Sequence, residues 1–281
     1  MKATNTMDGS THSGRFGPFA ALKQFFFELR NGRVIVISLF TKNYLNRYAD
    51  TAMGMLWIFV TPIVPIILYN FLQLAGLFGD PQGGIPRSVF LTYGLTLYYG
   101  FSESLVTSTG LIASNRGIII SSGTSKILIG LSELLGILFN FIVRSIVFWA
   151  ITTSVGVDLG FRGFSIILWG FLMIGSGYAI GLILSLFTVI YKDITNFVSI
   201  IAFYLLFASG VFREIDNEGW IWDFLRSSPL YQIIGKTREY VFGQAVEITP
   251  FTIIAFLSVA LFLISSLTIF YRGERYVDKI L

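Results

Sequence analysis

Six long apolar runs, at residues 53–78, 89–113, 127–157, 164–190, 194–212 and 251–271, take up most of this chain of 281 residues. A hydrocarbon core about 30 Å thick is crossed by roughly 20 apolar residues in an α-helix, and each run has that reach. Hydrophobic residues are 54% of the chain and charged residues only 13%, with a mean hydropathy of +0.73, far from a soluble domain. A membrane β-barrel would instead alternate polar and apolar residues over segments of about ten. The reading is an all-α integral membrane protein with six transmembrane helices, an N-terminal amphipathic interface helix, a cytoplasmic coupling helix and short re-entrant helices in an outer loop.

The distribution of Lys and Arg sets the expected orientation. Alternate segments, beginning with the one before the first run, hold 13 of the 20 basic residues, and the other loops hold six. Both termini are therefore expected in the cytoplasm, and the location is a bacterial inner (cytoplasmic) membrane crossed several times. No cleavable signal peptide is expected in the first 50 residues. Residues 1–18 read as a flexible tail, 19–50 as the interface helix and 51–281 as the six-span domain, whose outer loop is 213–249. In the second segment Ile37, Phe40, Tyr44 and Tyr48 recur at helical spacing, the pattern of a helix lying in the interface. A basic juxtamembrane anchor is the plainer alternative.

Catalytic chemistry finds little support. The chain has no Cys, which removes thiolate and disulfide chemistry, and its single His12 lies in the tail. Gly235, Lys236 and Thr237 imitate the end of a phosphate-binding loop, but that loop needs a glycine where Leu230 stands. No catalytic residue, cofactor or metal is expected in this chain, and its net charge of +4 reflects topology rather than nucleic-acid binding.

Three ionisable residues fall inside the runs: Glu103, Glu133 and Arg144. Each costs roughly 2.5–3.5 kcal/mol at the centre of a span and should face protein or water. Glu133 and Arg144 share a helix face but are about 16 Å apart along the axis, so they cannot pair. Arg144 is expected to snorkel outward and Glu133 inward, whereas Glu103 is the candidate for a cavity or an interhelical hydrogen bond. Pro62 and Pro65 interrupt the hydrogen bonding of the first span. Gly177 and Gly181, flanked by Gly170 and Gly175, form a small-residue stripe for close helix approach. The aromatic residues Trp57, Tyr69, Tyr93, Tyr98, Tyr99 and Tyr204, together with Glu103, are candidates for a channel wall, since aromatic faces accept sugar rings; lipid or helix contact is the ordinary alternative.

With these pieces in order, residues 30–281 resemble the membrane subunit of type-two ABC exporters of polysaccharides: the O-antigen, capsule and teichoic-acid permeases. The markers are Arg47-Tyr48, Thr51, Gly54, Trp57 and Pro62 around the start of the first span, and Asn115 with the triplet Ile118, Ile119 and Ile120 after the second. Tyr191-Lys192-Asp193-Ile194 follow the fourth, Ser228-Pro229-Leu230 and Arg238 lie in the outer loop, and the aromatic-basic end covers 270–277. The resemblance implies a homodimer around a channel, docked on a separate cytoplasmic ATPase that carries ATP and Mg, with a lipid-linked glycan as cargo and membrane lipids around it. It makes Asn115, Arg116, Ile118, Ile119, Ile120 and Lys126 the candidates for ATPase coupling, and Trp220, Trp222, Pro229, Tyr231 and Arg238 those for an outer gate. One departure is Gly123-Thr124-Ser125-Lys126, where the family often has an aromatic-Pro-basic triplet; only Lys126 matches the basic member. A drug or lipid exporter of the same type, an ion-coupled secondary transporter using Glu103, and a lipid-modifying membrane enzyme are the competing readings.

Overall fold

The computed structural model describes residues 17–44, 46, 51–77, 85–212, 218–243, 250–277 and 279. The tail up to residue 16, Arg47, Tyr48 and Arg213 lie outside them. Among the described residues there are ten α-helices, one short 3-10 turn and no strand: α1 Pro18–Asn43, α2 Leu56–Leu74, α3 Arg87–Ser114, α4 Arg116–Ser122, α5 Lys126–Ser154, α6 Ser165–Thr188, α7 Asp193–Ala208, α8 Trp220–Arg226, α9 Pro229–Val241 and α10 Pro250–Val277.

The six apolar runs correspond in position to α2, α3, α5, α6, α7 and α10. Four stretches, Leu56–Leu74, Lys126–Ser154, Gly160–Thr188 and Phe256–Glu274, are long and apolar enough to cross a membrane. Of the other two, α7 has only 16 residues, and α3 is long but sprinkled with Ser and Thr. The polarity of α3 has a packing reason. Nineteen of its 28 residues are buried, so α3 is the central helix of the bundle and its hydroxyls face protein. Thr96 and Thr109 donate to the carbonyls of Thr92 and Leu105 at 2.8 and 2.7 Å, which satisfies them within their own helix.

Close packing of α3 on α6 follows from the glycine stripe. A Cβ on Gly181 would lie 2.6 Å from Ser108 Cβ and 2.7 Å from the Leu105 carbonyl, so only glycine lets the two backbones approach. Ser104 uses that proximity to donate across the interface to the Ile174 carbonyl at 2.8 Å. In a bilayer, where lipid is as apolar as leucine, such van der Waals and hydrogen-bonded contact replaces the hydrophobic effect as the cause of association.

α2 runs unbroken through Pro62 and Pro65, and Asn70 donates both to the Ile66 carbonyl at 2.8 Å and to Thr92 on α3 at 3.1 Å. α1 lies against the start of α5 and the end of α10. Its middle is let in by Gly32, where a Cβ would press within 2.7 Å of Leu128 Cδ1. α4 is one short helix between α3 and α5, ended by Gly123 in the left-handed region at φ 58°. Beyond α7, α8 and α9 form a short helical pair. Ser228 caps α9 through the Tyr231 amide, and Pro229 occupies its first turn.

Candidate functional site

Spacing along α3 and α5 builds one polar cavity. Glu103 and Thr107 stand four apart on α3; Glu133, Gly136 and Asn140 stand three and four apart on α5, so each set shares a helix face. The two faces meet Thr61 of α2, Asn43 and Tyr44 at the end of α1, and Asn115 and Ile118 at the start of α4, around a cavity of about 600 Å³. Gly136 admits the Tyr44 ring, since a Cβ there would lie 2.8 Å from Tyr44 Cδ2. The Tyr44 hydroxyl donates to Asn140 Oδ1.

A buried ion pair holds the cavity's inner wall. Arg144 is 1% exposed and grips Glu103 with both terminal nitrogens, Nη1 donating to Oε2 at 3.1 Å and Nη2 to Oε1. Its Nε donates to the Pro62 carbonyl at 3.3 Å, and its guanidinium lies 5.0 Å from the centre of the Tyr99 ring. One arginine thus joins α2, α3 and α5. Bidentate geometry, a carbonyl and an aromatic face together offset the desolvation that a lone buried charge would suffer. Glu103 also accepts from Asn140 at 3.3 Å, and its side chain keeps 28% exposure, toward the cavity. The expectation that Arg144 snorkels outward is therefore corrected. Distance ruled out a partner on its own helix, but the partner is on α3.

Lower on the same wall, Glu133 accepts from Asn115 Nδ2 at 2.8 Å, and that amide also donates to the Leu111 carbonyl at 2.9 Å. The junction of α3 and α4 is thereby tied to α5. Carboxylates, amides, hydroxyls and a tyrosine around an open volume suit the binding of a polar solute through several hydrogen bonds. The described residues contain no group of three or more His, Cys, Asp or Glu arranged to hold a metal ion.

The sequence candidates separate into distinct places. Of those proposed for a channel wall, Glu103 lines the cavity. Tyr99 lies beneath Arg144, with its ring edge-on to Tyr98. Tyr98 is enclosed, its hydroxyl donating to the Ala202 carbonyl of α7. Tyr93 is buried against Phe148 and Phe242, and Tyr69 packs on Phe212. Trp57 and Tyr204 are exposed on α2 and α7. Tyr69, Tyr98 and Tyr99 thus lie together beside Arg144 and Glu103, whereas Tyr93, Trp57 and Tyr204 lie elsewhere.

Among the coupling candidates, Asn115 and Ile118 line the cavity, Ile119 turns inward, and Arg116 and Ile120 face outward from α4. Lys126 is 4% exposed and pairs with Glu274 of α10 at 3.0 Å, so it is enclosed rather than on the surface of α4. Beside it Ser125 donates to Glu28 of α1 at 2.6 Å. These two contacts clasp α1, α5 and α10 next to α4.

On the α8–α9 side, Trp220 is exposed, Pro229 is exposed, and Trp222 and Tyr231 are half-buried. Arg238 is buried beneath α9. Its guanidinium lies 3.5 Å from the centre of the Phe90 ring, and Nη1 donates to the Gly210 carbonyl at 3.1 Å. Gly94 provides the room: a Cβ there would lie 2.6 Å from Arg238 Nη2. Arg238 is an anchor of α9 rather than a freely exposed gate surface. Gly235, Lys236 and Thr237 are in the body of α9, a helix interior and not a phosphate loop.

Residues that the sequence reading left out are Asn140, Thr107, Gly136 and Gly94. The first three were signalled by their spacing from Glu103 and Glu133; Gly94 carried no signal until Arg238 was seen against it.

In a comparison against known families, the pattern of the ABC-2 type transporter membrane domain matches residues 35–242 of this chain. The chain belongs to the ABC-2 type transporter family. The match spans α2 to α9 and the last third of α1, so it includes the cavity, the ion pair and α4. No curated protein matches the chain. ABC-2 membrane domains are the permease components of ATP-driven transporters and normally pair with an ATPase subunit.

Proposed function

We propose that this ABC-2 permease exports a lipid-linked polysaccharide from the cytoplasmic side of the bacterial inner membrane, as a homodimer docked on a separate ATPase. The observation that supports the glycan reading is the character of the cavity. Its wall combines the carboxylate edge of Glu103 with Thr107, Asn140, Asn115 and the Tyr44 phenol, a set that matches the many hydroxyls of a sugar. Cargo of a drug or lipid exporter is mostly apolar and has few groups to hydrogen-bond with such a wall, whereas sugar hydroxyls can use the donor and acceptor capacity that its internal hydrogen bonds leave over.

In this mechanism α4 faces the cytoplasm and receives movement from the ATPase through its outward residues Arg116 and Ile120. The Asn115–Glu133 hydrogen bond passes that movement to α5, and the Ser125–Glu28 and Lys126–Glu274 contacts pass it to α1 and α10. The cavity, at the α4 end of the bundle, receives the first sugars. Residues of α8 and α9 form the exit, with Arg238 holding α9 in place. The chain supplies a path and a gate, while the ATPase supplies energy.

Deletion of the chain tests this reading. The expected result is loss of the surface glycan with accumulation of its lipid-linked form in the inner leaflet, and co-purification of an untagged ATPase with the tagged permease. Unchanged surface glycan with loss of drug or lipid efflux would overturn it in favour of the drug or lipid exporter. Ion-driven transport by the chain alone would favour the secondary transporter.

A further inference from the structure

A second cavity, of about 400 Å³, lies on another side of α1 and has the opposite chemistry. Leu22 and Phe25 of α1, Leu138 of α5, Gly175 of α6, and Ala260 and Leu263 of α10 line it. Stretches of α5, α6 and α10 are among the four long and apolar enough to cross a bilayer, and helices of that kind are in contact with its hydrocarbon. Apart from Tyr178 its lining is hydrocarbon, and leaving such a slot empty forfeits the dispersion contacts of that lining. A flexible hydrocarbon chain fills it at no polar cost.

Charge beside the cavity narrows the occupant. α1 carries Lys23, Arg30, Arg33 and Lys42 against the single acid Glu28, and Lys23, exposed, directly follows the lining residue Leu22. An apolar slot next to a basic helix matches a molecule with a hydrocarbon tail and an anionic head. We propose that this cavity is a binding site for an anionic membrane phospholipid, with one acyl chain among α1, α5, α6 and α10 and its phosphate beside Lys23. The site is separate from the polar cavity and does not depend on the cargo being a glycan.

Spin-label spectroscopy tests the site on the transporter purified with its ATPase and placed in phosphatidylcholine nanodiscs. Spin-labelled phosphatidylglycerol should show an immobilised component larger than that of spin-labelled phosphatidylcholine. Ala260→Phe, on an exposed position of α10, should lower the immobilised component for both lipids to a common level, that of the lipid bordering the other helices. Lys23→Glu should keep it but remove the preference for phosphatidylglycerol. If Ala260→Phe does not assemble, Leu263→Trp fills the same slot from inside. Equal immobilisation of the two lipids in the unaltered protein would overturn the proposal, as would an unchanged phosphatidylglycerol signal in a well-assembled filled variant. Complete displacement of the label by an equal amount of polyprenyl phosphate would overturn it too, assigning the slot to a polyprenyl carrier.

Discussion

Replacing Arg144 by Met removes a cation that touches three helices at once. Arg144 is 1% exposed and Glu103 retains 28% side-chain exposure, so the two partners are desolvated to different degrees. Breaking a buried pair by removing one member costs about 3–5 kcal/mol, chiefly because the other charge is stranded. Here Glu103 keeps its hydrogen bond from Asn140 and can be hydrated from the cavity, which places the expected loss at the lower end. About 3 kcal/mol corresponds to roughly a hundredfold shift in the folding equilibrium. The double variant Arg144→Met with Glu103→Leu strands no charge and fills similar volume, so its stability should return to within about 1 kcal/mol of the original. Reversible unfolding in mixed micelles measures both. Export should fail in the double variant even though it folds, because the cavity has lost its carboxylate. If Arg144→Met alone unfolds like the unaltered chain, the ion pair does not hold α2, α3 and α5 together and the reasoning fails.

Other consequences are equally direct. Gly181→Ala should destabilise the bundle by about 1–3 kcal/mol by overpacking, since the new methyl meets the Leu105 backbone; unfolding measurements check this, and an unperturbed protein would deny the close α3–α6 contact. Gly94→Ala should displace Arg238 and loosen α9, read as faster amide exchange across α9, whereas Gly235→Ala, with nothing within 4 Å of its Cβ, should be neutral or stabilise by up to about 1 kcal/mol. Lys126→Glu should weaken both assembly and coupling of ATP hydrolysis to transport, and the exchange Lys126→Glu with Glu274→Lys should recover part of each. Asn115→Leu should leave the partner's ATP hydrolysis intact but lower transport per ATP, because the tie from α4 to Glu133 is gone; equal transport per ATP would remove Asn115 from the coupling route.

Helix positions were legible because an apolar run is a local property. The ends were less so, and glycine explains two of them. The fifth run extends to residue 212, but α7 stops at Ala208 and Gly210 turns at φ 73°. The first begins at 53, but Gly54 at φ 50° belongs to the turn before α2. The stripe of Gly177 and Gly181 disclosed close packing before its partner helix was known. The centrality of α3 was not legible, since its Ser and Thr lowered its apparent fitness for a membrane while being the mark of a helix enclosed by others. Arg144 was misjudged for a related reason. Charge spacing within α5 excluded a partner there, and nothing local indicated that Glu103, on another helix, would reach it. The surroundings of each aromatic were not legible either, because composition counts their faces but not the direction in which each points: Tyr93 is buried against Phe148 and Phe242, while Tyr99 lies beside Tyr98 and under Arg144.

Movement of a glycan at the expense of ATP hydrolysed by a partner is the function proposed for this permease. Proteoliposomes containing the permease with its ATPase, supplied with a labelled lipid-linked glycan on the ATPase side, test it most directly. The label should cross only when ATP and both subunits are present, and crossing should be lost when Glu103 and Arg144 are replaced together in a folded protein. Transport by the permease alone down an ion gradient, or ATP hydrolysis that moves an apolar compound and leaves the glycan behind, would contradict it.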